Sequence, residues 1–479
     1  YGFNASSHYG KAVWLTADTD DGKLDCNFGS VITKNMLSMF WEEGEHEVQV
    51  EFDLSSRLLT YLITYSGAAG SSITSYKVGD SPIALASDIR NRGWKFEGWR
   101  YGNKTITKVS RDELGLTDIV YDMSKTSLNI TITAKFTRTT YEISTFGSLT
   151  VTGEVSYVDC IGVAINVFGS IRIASSVKEV TLNFRGSNWT FSAIVVEDRG
   201  NEDLIINFGD GTFTGTYGRA ALDAREVTGQ LELYSMGEVT LNAGAARNTE
   251  NESAVIVGGD VILAGETFVI NGADQDTYQS IFATASAGIT GGTGTSTMKI
   301  TAKSVSVYGG NGKDGKDGDD GINGTGIQEA GSKGSSGLDG GDGASAMIYN
   351  GEIRVVAGSA LYCKGGNGGN GGNGGNGGQG GPGEDGVLFG ATTIPSGNGG
   401  SGGDGGDGGD AGNGIEARAI YGSYAADAGI IGAAGAYGKG GAPGEPPGYT
   451  VFDNPKYGEN GEDGSKGDAG AVGYKFVVI

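Results

Sequence analysis

Side chains that carry most enzyme chemistry are scarce in this chain. Its 479 residues include two histidines, His8 and His46, and three widely spaced cysteines, Cys26, Cys160 and Cys363. A histidine-based zinc site or a catalytic triad needs more than these. The sequence also has no Gly-x-Ser-x-Gly elbow, no His-Glu-x-x-His motif and no phosphate loop that ends in Gly-Lys-Ser/Thr. We therefore expect no enzyme and no disulfide framework, with the cysteines as free or buried thiols.

One acidic segment has the composition of a calcium-binding loop. Asp18, Asp20 and Asp21 precede Gly22, but this glycine is at the fifth position of the segment, whereas an EF-hand loop needs it at the sixth. A solvated turn is the other interpretation. We expect no cofactor and no bound metal. If the segment does hold a metal, these three aspartates are the weak candidate ligands and calcium is the ion.

The charge and hydropathy of the chain exclude two classes of partner. The net charge is −23 with 34 Lys and Arg residues, and bulk binding of nucleic acid needs cations that neutralise phosphates. No stretch of about 18 apolar residues exists, so we expect no membrane insertion.

The most unusual feature is glycine at every third position. The chain has 90 glycines, and their excess is concentrated in 309–473. There they form six runs, grouped as three outward-and-return pairs. The runs contain Gly309 to Gly324 and Gly331 to Gly343, then Gly365 to Gly386 and Gly399 to Gly408, then Gly429 to Gly444 and Gly458 to Gly473.

A period of three is typical of a polyproline-II-type helix, which has three residues per turn and no internal hydrogen bonds. Such helices satisfy their backbone groups only when packed side by side. Two glycines per triplet suit the interior of a bundle, and one glycine suits its outside. We predict structural glycines in the first run of the second pair, namely Gly365, Gly368, Gly371, Gly374, Gly377 and Gly380.

Three alternatives to such a bundle remain open. A flexible linker explains the composition but not the constant phase of the runs. Collagen is disfavoured because the chain has only 7 prolines. A calcium-binding nonapeptide solenoid matches only half of its motif. In its triplet pattern alone, the tract resembles the glycine-rich bundles of antifreeze proteins and of phage receptor-binding adhesins.

Residues 140–308 contain a second, longer repeat. A small residue followed by an apolar one recurs and precedes short alternating apolar pairs, which indicates three strands per unit of about 26–33 residues, as in a β-solenoid. A sandwich of independent strands is the alternative. The repeat markers are Ala164-Ile165, Ala193-Ile194, Ala221-Leu222, Ala254-Val255 and Ser280-Ile281, then Ala346-Met347, Ala419-Ile420 and Ala471-Val472.

Residues 47–138 form a separate β-rich module. Its core, Gly93 to Trp99, has the pattern Gly-aromatic-x-Phe-x-Gly-Trp, and an alternating strand from Ile130 to Phe136 closes the module. This pattern resembles the Listeria–Bacteroides repeat of internalin-type surface proteins. The resemblance implies a small β-grasp-like module without catalytic residues, in a secreted or wall-associated bacterial protein.

The sequence thus predicts an all-β chain with five parts. They are an N-terminal extension at 1–46, the internalin-repeat-like module at 47–138, solenoid coils at 140–308, coils interleaved with six polyglycine-II-like runs at 309–473, and a C-terminal strand at 474–479.

We expect a non-enzymatic extracellular protein that forms a surface filament or fibre with copies of itself. The alternative is an adhesin that binds surface glycans or a host receptor. Strands near the two termini are candidate subunit contacts. Their residues are Val13, Trp14 and Leu15, then Tyr474, Phe476 and Val478. The alternative for the C-terminal strand is that Phe476 to Ile479 closes the last coil of its own solenoid.

Overall fold

A computed structural model shows two compact units, 1–137 and 138–479, each described here by itself. The structure describes residues 12–19, 22–31, 60–77, 80–115, 120–121, 127–143, 147–161, 169–245, 252–275, 284–325, 329–379, 398, 400–422, 428–430, 436–443 and 461–468. The predicted strand at 474–479, with Tyr474, Phe476 and Val478, lies outside these residues, as does Gly380.

The first unit contains a five-stranded mixed sheet with the strand order β4-β3-β10-β6-β7. Its first and last strands, β3 and β10, pair in parallel at the centre, and the other neighbours are antiparallel. This is the arrangement of a β-grasp sheet, which agrees with the expected fold of the module. The strands are β3 (Thr60–Ser66), β4 (Ser75–Lys77), β6 (Lys95–Tyr101), β7 (Lys104–Ile106) and β10 (Ser127–Thr137).

Trp99, the last residue of the Gly93 to Trp99 motif, anchors the core of this sheet. It is buried, and its indole Nε1 donates a hydrogen bond of 2.8 Å to the carbonyl of Ala86. The rings of Tyr65 and Phe96 meet it edge-on. Along β10, alternate residues from Ile130 point into the core, which confirms the predicted alternation.

Smaller elements complete the unit. Strands β1 (Ala12–Thr19), β2 (Gly22–Val31) and β9 (Val120–Tyr121) form a separate sheet with β2 at the centre and β1 and β9 at the edges. Strands β5 (Ile83–Ala84) and β8 (Lys108–Val109) pair with each other. The one-turn helix α1 (Arg111–Leu114) begins after Ser110, whose side chain accepts from the Glu113 N–H, and ends at Gly115.

The second unit is a β-solenoid with three parallel sheets. Successive strands of each sheet come from successive coils and pair in parallel, which confirms the solenoid rather than the sandwich. We name the sheets first, second and third in the order in which each coil visits them.

The strands of the first sheet are β12 (Leu149–Val151), β14 (Ile171–Ile173), β17 (Ile194–Val196), β20 (Leu222–Ala224), β22 (Val255–Val257), β24 (Ile289–Gly291), the start of β27 (Met347–Val355) and the start of β29 (Ile415–Tyr421). The second sheet contains β11 (Thr139–Ile143), β13 (Val155–Cys160), β15 (Glu179–Asn183), β18 (Leu204–Phe208), the start of β21 (Gln230–Asn242), the start of β23 (Asp260–Asn271), β25 (Thr297–Ile300) and the ends of β27 and β29. The third sheet contains β16 (Ser187–Thr190), β19 (Gly211–Thr214), the ends of β21 and β23, β26 (Ser304–Tyr308), β28 (Ala360–Lys364) and β30 (Ala428–Ile430).

Pairing corrects the phase of the predicted repeat. Ile289 pairs with Val255, so the fifth marker is Gly288-Ile289 rather than Ser280-Ile281. The partner of Ile194 is Ile171 rather than Ile165. Ala419-Ile420 belongs to the second sheet, whereas Ile415 occupies the marker position of that coil.

Apolar side chains fill the solenoid along its whole described length. In the early coils this core is aromatic: the Phe213 ring stacks on Phe191 with 5.1 Å between centroids and lies 5.8 Å from Phe184. Since every coil buries its apolar residues against the next coil, the solenoid acts as one continuous core.

We predict that Phe213→Ala lowers the free energy of unfolding of the solenoid by about 3–5 kcal/mol, because it leaves a cavity within the aromatic stack. Urea denaturation followed by circular dichroism measures the change. Tyr217→Ala is the control, since Tyr217 is 49% exposed, and it should change stability little. Equal effects of the two substitutions would contradict the stacked core.

Candidate functional site: the bundle of glycine runs

The first two pairs of glycine runs leave and re-enter the solenoid at one corner, between the third and first sheets. The connection at this corner lengthens with every coil, through 191–193, 215–221, 243–254, 272–288, 309–346 and 365–414. The last two of these contain glycine runs, and the next pair follows β30. We name the described runs A (309–324), B (331–344), C (365–379), D (400–412), E (436–443) and F (461–468).

These six runs pack as two rows. Runs A, C and E lie parallel to one another in the first row, and runs B, D and F lie parallel in the second. The two rows run in opposite directions, and main-chain hydrogen bonds join neighbouring runs at every third residue. The bonds from Gly369, Gly372 and Gly375 of run C to run B show this spacing. A flexible linker has no such pairing, so the described runs form the predicted bundle.

Within each row, neighbouring runs are held by a two-bond contact that we call the Asx rung. The main-chain N–H of Asn370 donates to Asp314 Oδ1 at 2.6 Å, and the N–H of Gly315 donates back to the carbonyl of Asn370 at 2.6 Å. Asn370 Oδ1 in turn accepts from Ala436 N, and Gly371 N–H donates to the Ala436 carbonyl. In each rung, one residue of the next run therefore forms two bonds. Its N–H donates to the side-chain oxygen of the Asx residue, and its C=O accepts from the N–H of the residue that follows the Asx residue.

The same rung recurs throughout both rows. Its Asx residues in the first row are Asn311, Asp314, Asp317, Asp320, Asn323, Asn370, Asn373 and Asn376. Those in the second row are Asp339, Asp342, Asp404, Asp407 and Asp410. Asn and Asp serve equally because each presents a side-chain oxygen as acceptor.

Glycine occupies the positions where two runs touch, and side chains occupy the same positions where a neighbour is missing. A Cβ on Gly372 of run C would meet the carbonyl of Lys316 in run A far inside van der Waals contact. Lys316 holds the corresponding position in run A, and its side chain is exposed. Nearer the solenoid, where Ala273 lies beside run A, that position is Gly310.

The outer positions of the other edge runs follow the same rule. In run B, Leu338 holds the position of Gly406 in run D and is 50% exposed. In run F, Asp463 holds the position of Gly405, whose Cβ would meet the Gly438 carbonyl. These side chains close the edges of the bundle against a further run.

The second row is rich in aspartate, and its rungs favour the charged form of two of these carboxyl groups, those of Asp404 and Asp407. The Glu462 N–H lowers the pKa of Asp404, and Lys333, 3.6 Å away, lowers it further. The Ser465 N–H, which donates to Asp407 at 2.6 Å, lowers the pKa of Asp407. A hydrogen bond to the ionised form favours that form.

The structure places the predicted residues as follows. Five of the predicted glycines, Gly365, Gly368, Gly371, Gly374 and Gly377, lie in run C, where a Cβ on each of the first four would meet a run D carbonyl. The sequence predicted these glycines, but we assigned no role to the Asn and Asp residues that bond neighbouring runs. A triplet search for either Asn or Asp would have found them.

The predictions outside the bundle have different outcomes. Asp18 lies in β1, opposite Lys23 of β2 in the strand register. Asp20 and Asp21 lie outside the described residues. Val13, Trp14 and Leu15 lie in β1, in a stretch where Trp14 pairs with Asn27 of β2.

Two of the cysteines, Cys160 and Cys363, are buried free thiols. Burial raises the pKa of Cys160 to about 12 and also raises the pKa of Cys363. A thiol with a raised pKa is chemically inert at neutral pH.

The described residues contain no group of three or more side chains suited to hold a metal ion. Within the same residues, no helix has the length and apolar character that a membrane crossing needs. No known protein family matches this chain, and neither a curated protein nor a solved structure is similar to it. The resemblance of 47–138 to the Listeria–Bacteroides repeat therefore stays a prediction.

We predict that Gly372→Ala disrupts the bundle and costs about 1–3 kcal/mol or more, because the new methyl group overlaps a main-chain carbonyl that cannot rotate away. Lys316→Ala, at the matching position of run A, is the control and should be neutral. Hydrogen exchange of peptides from run C measures the difference. Unchanged protection in Gly372→Ala would show that the runs do not touch there.

Acid should weaken the second row. Asp404 and Asp407 have folded pKa values below the unfolded value of about 3.9, so their contribution is complete above that pH and is lost as the pH falls through the folded pKa. We expect a smaller drop of Tm between neutral and acidic buffer in Asp404→Asn/Asp407→Asn, since asparagine keeps the acceptor, as in run C. Asp319→Asn, outside the rungs, should behave as wild type; an identical drop in all three proteins would contradict the assignment.

Proposed function

We propose that this chain is a non-enzymatic extracellular structural protein, a subunit of a prokaryotic surface filament or fibre. The observation that carries the proposal is the continuous stack of three parallel sheets, to which a hydrogen-bonded block of glycine runs is attached along one corner. Such a body resists bending and offers no catalytic geometry among the residues described. The amino-acid composition, with 90 glycines but only two histidines and three cysteines, supports a structural protein rather than an enzyme.

The solenoid supplies the direction of assembly. A parallel stack leaves one edge of its first strand and one edge of its last strand without a partner from the stack itself, and such edges pair readily with further strands. Among the described strands, the stacks begin at β11, β12 and β16 and end at β29 and β30. Addition of another strand at either edge would continue the same ladder.

The bundle supplies stiffness rather than adhesion between copies. Its edge positions carry Lys316, Leu338 and Asp463 where an added glycine run would need bare backbone. Lateral association through glycine runs is therefore blocked, and contact between copies is directed to strands.

The terminal segments are the proposed exchange strands. β1 is an edge strand of its sheet, and the segment 474–479 is apolar apart from Lys475. An extended segment of this type can add to an open sheet edge of a neighbouring copy. The inert buried thiols, Cys160 and Cys363, suit an oxidising extracellular location because they need no disulfide partner.

A surface adhesin is the second candidate, and the far end of the bundle favours it. Gly324 bonds to Gln379, and Gly377 bonds to Ala442, so the described outer ends of runs A, C and E lie side by side. Ile322, near this end, is 78% exposed. Ile322 is the apolar group through which the described end of the bundle would contact surface glycans or a host receptor.

Purified full-length chain should form filaments whose abundance rises with concentration, as seen by negative-stain microscopy and light scattering. Val477→Pro should abolish them, because proline removes a strand hydrogen-bond donor. Val477→Ala, which keeps that donor, should assemble.

A chain that stays monomeric at high concentration would overturn the filament proposal. Binding of that monomer to a glycan array, with loss of binding in Ile322→Ser, would favour the adhesin. Filaments formed equally by Val477→Pro and Val477→Ala would overturn the role of the C-terminal strand.

A further inference from the structure

Run C contains a row of Asn-Gly pairs, the dipeptide most prone to deamidation. In this reaction the main-chain nitrogen of the glycine loses its proton and bonds to Cγ of the asparagine side chain. Ammonia leaves, and a five-membered succinimide ring remains. Water from the solvent then opens the ring to aspartate or to isoaspartate. In three of these pairs, both the asparagine side-chain oxygen and the glycine N–H have a described partner in run E. They are Asn370-Gly371, Asn373-Gly374 and Asn376-Gly377.

Burial does not protect these asparagines, since Asn370, Asn373 and Asn376 are all exposed to solvent. Protection must come from the hydrogen bonds of the two reacting groups. The Asx rung binds both groups. For Asn373, the side-chain oxygen accepts from Lys439 N at 3.0 Å, and the attacking nitrogen, Gly374 N, donates to the Lys439 carbonyl at 2.8 Å.

The rung opposes both steps that ring formation requires. The Gly374 N–H is engaged, so its deprotonation is disfavoured. The Asn373 side chain is held toward run E, and its main-chain N–H and C=O groups bond to Asp317 and Gly318 of run A. Ring closure needs rotation about the Asn373 main chain, which would break the rung and the neighbouring bonds at once.

We propose that Asn370, Asn373 and Asn376 form a covalent modification site that run E keeps closed. While run E is docked, the three asparagines persist. When run E detaches, they deamidate irreversibly, so the row records how often this part of the bundle has opened. The reaction needs only water as co-reactant and releases ammonia.

The two products have different consequences for the bundle. Aspartate keeps the acceptor oxygen, and run D already uses Asp404, Asp407 and Asp410 in the same role. Isoaspartate passes the main chain through the side-chain carbon and adds one atom to the backbone. This shifts the three-residue period, so a run that contains isoaspartate cannot regain its rungs.

Run A supplies internal reference sites. Asn311-Gly312 and Asn323-Gly324 are bound by the same rung, but through Asn367 and Gln379 of run C rather than through run E. Detachment of run E alone should therefore leave these two pairs protected.

The test incubates the full-length chain in mildly alkaline buffer, with and without urea, and follows each Asn-Gly pair by peptide mass spectrometry and isoaspartate detection. We expect deamidation in buffer to be at least about tenfold slower than in urea, because the reaction must wait for local opening. Equal rates in buffer and in urea would overturn the proposal without the need for any variant.

A variant that displaces run E tests whether this run protects the three asparagines from deamidation. Gly438→Ala/Gly441→Ala should expel run E, since each new Cβ would meet a run C carbonyl, and Lys439→Ala is the matched control. We expect faster deamidation at Asn370, Asn373 and Asn376 in the glycine variant only, with Asn311 and Asn323 unchanged. An equal increase in the deamidation rate at the run A sites would show that run E does not specifically protect the asparagines of run C.

Discussion

The Asx rung is the interaction on which the bundle depends. An extended chain with three residues per turn cannot bond to itself, so every N–H and C=O group must find a partner in a neighbouring run or in water. The rung provides two of these partners with one residue, because the Asx side chain adds an acceptor where the backbone has none to offer. Asp314, Asn370 and Ala436 are joined in this way across three successive runs. Glycine then follows from geometry, since only a bare Cα lets the rows approach closely enough for the remaining bonds.

The solenoid makes this packing attainable. Neighbouring parallel strands lie about 4.7–4.9 Å apart, so chain segments that leave successive coils at one corner emerge at hydrogen-bonding distance from each other. Runs A and C follow β26 and β28, which pair in parallel, and the two runs continue in parallel after the strands end. The coil spacing thus positions the runs before any rung forms. The bundle continues the order of the sheet in chain segments that no longer have strand geometry.

The sequence predicted the solenoid, the period of three and the presence of a bundle, because each is a periodic pattern. It did not predict the coil phase at Ile289 or Ile171, since corner connections of varying length shift the markers without changing the strands. The role of the aspartates was also missed. Asp314 and Lys316 are both charged residues of one triplet series, and only the position of the neighbouring run shows that the first bonds to run C while the second faces solvent.

The distribution of side chains at the contact positions explains why the bundle stays finite. Where a neighbour exists, the position is glycine, as at Gly310 beside Ala273 and at Gly372 beside Lys316. Where the neighbour ends, the same position becomes Lys316, Leu338 or Asp463. An edge of bare glycine would leave backbone groups open to any similar chain, as the edge of a β-sheet does. Side chains at these positions therefore close the described edges of the bundle against a further glycine run.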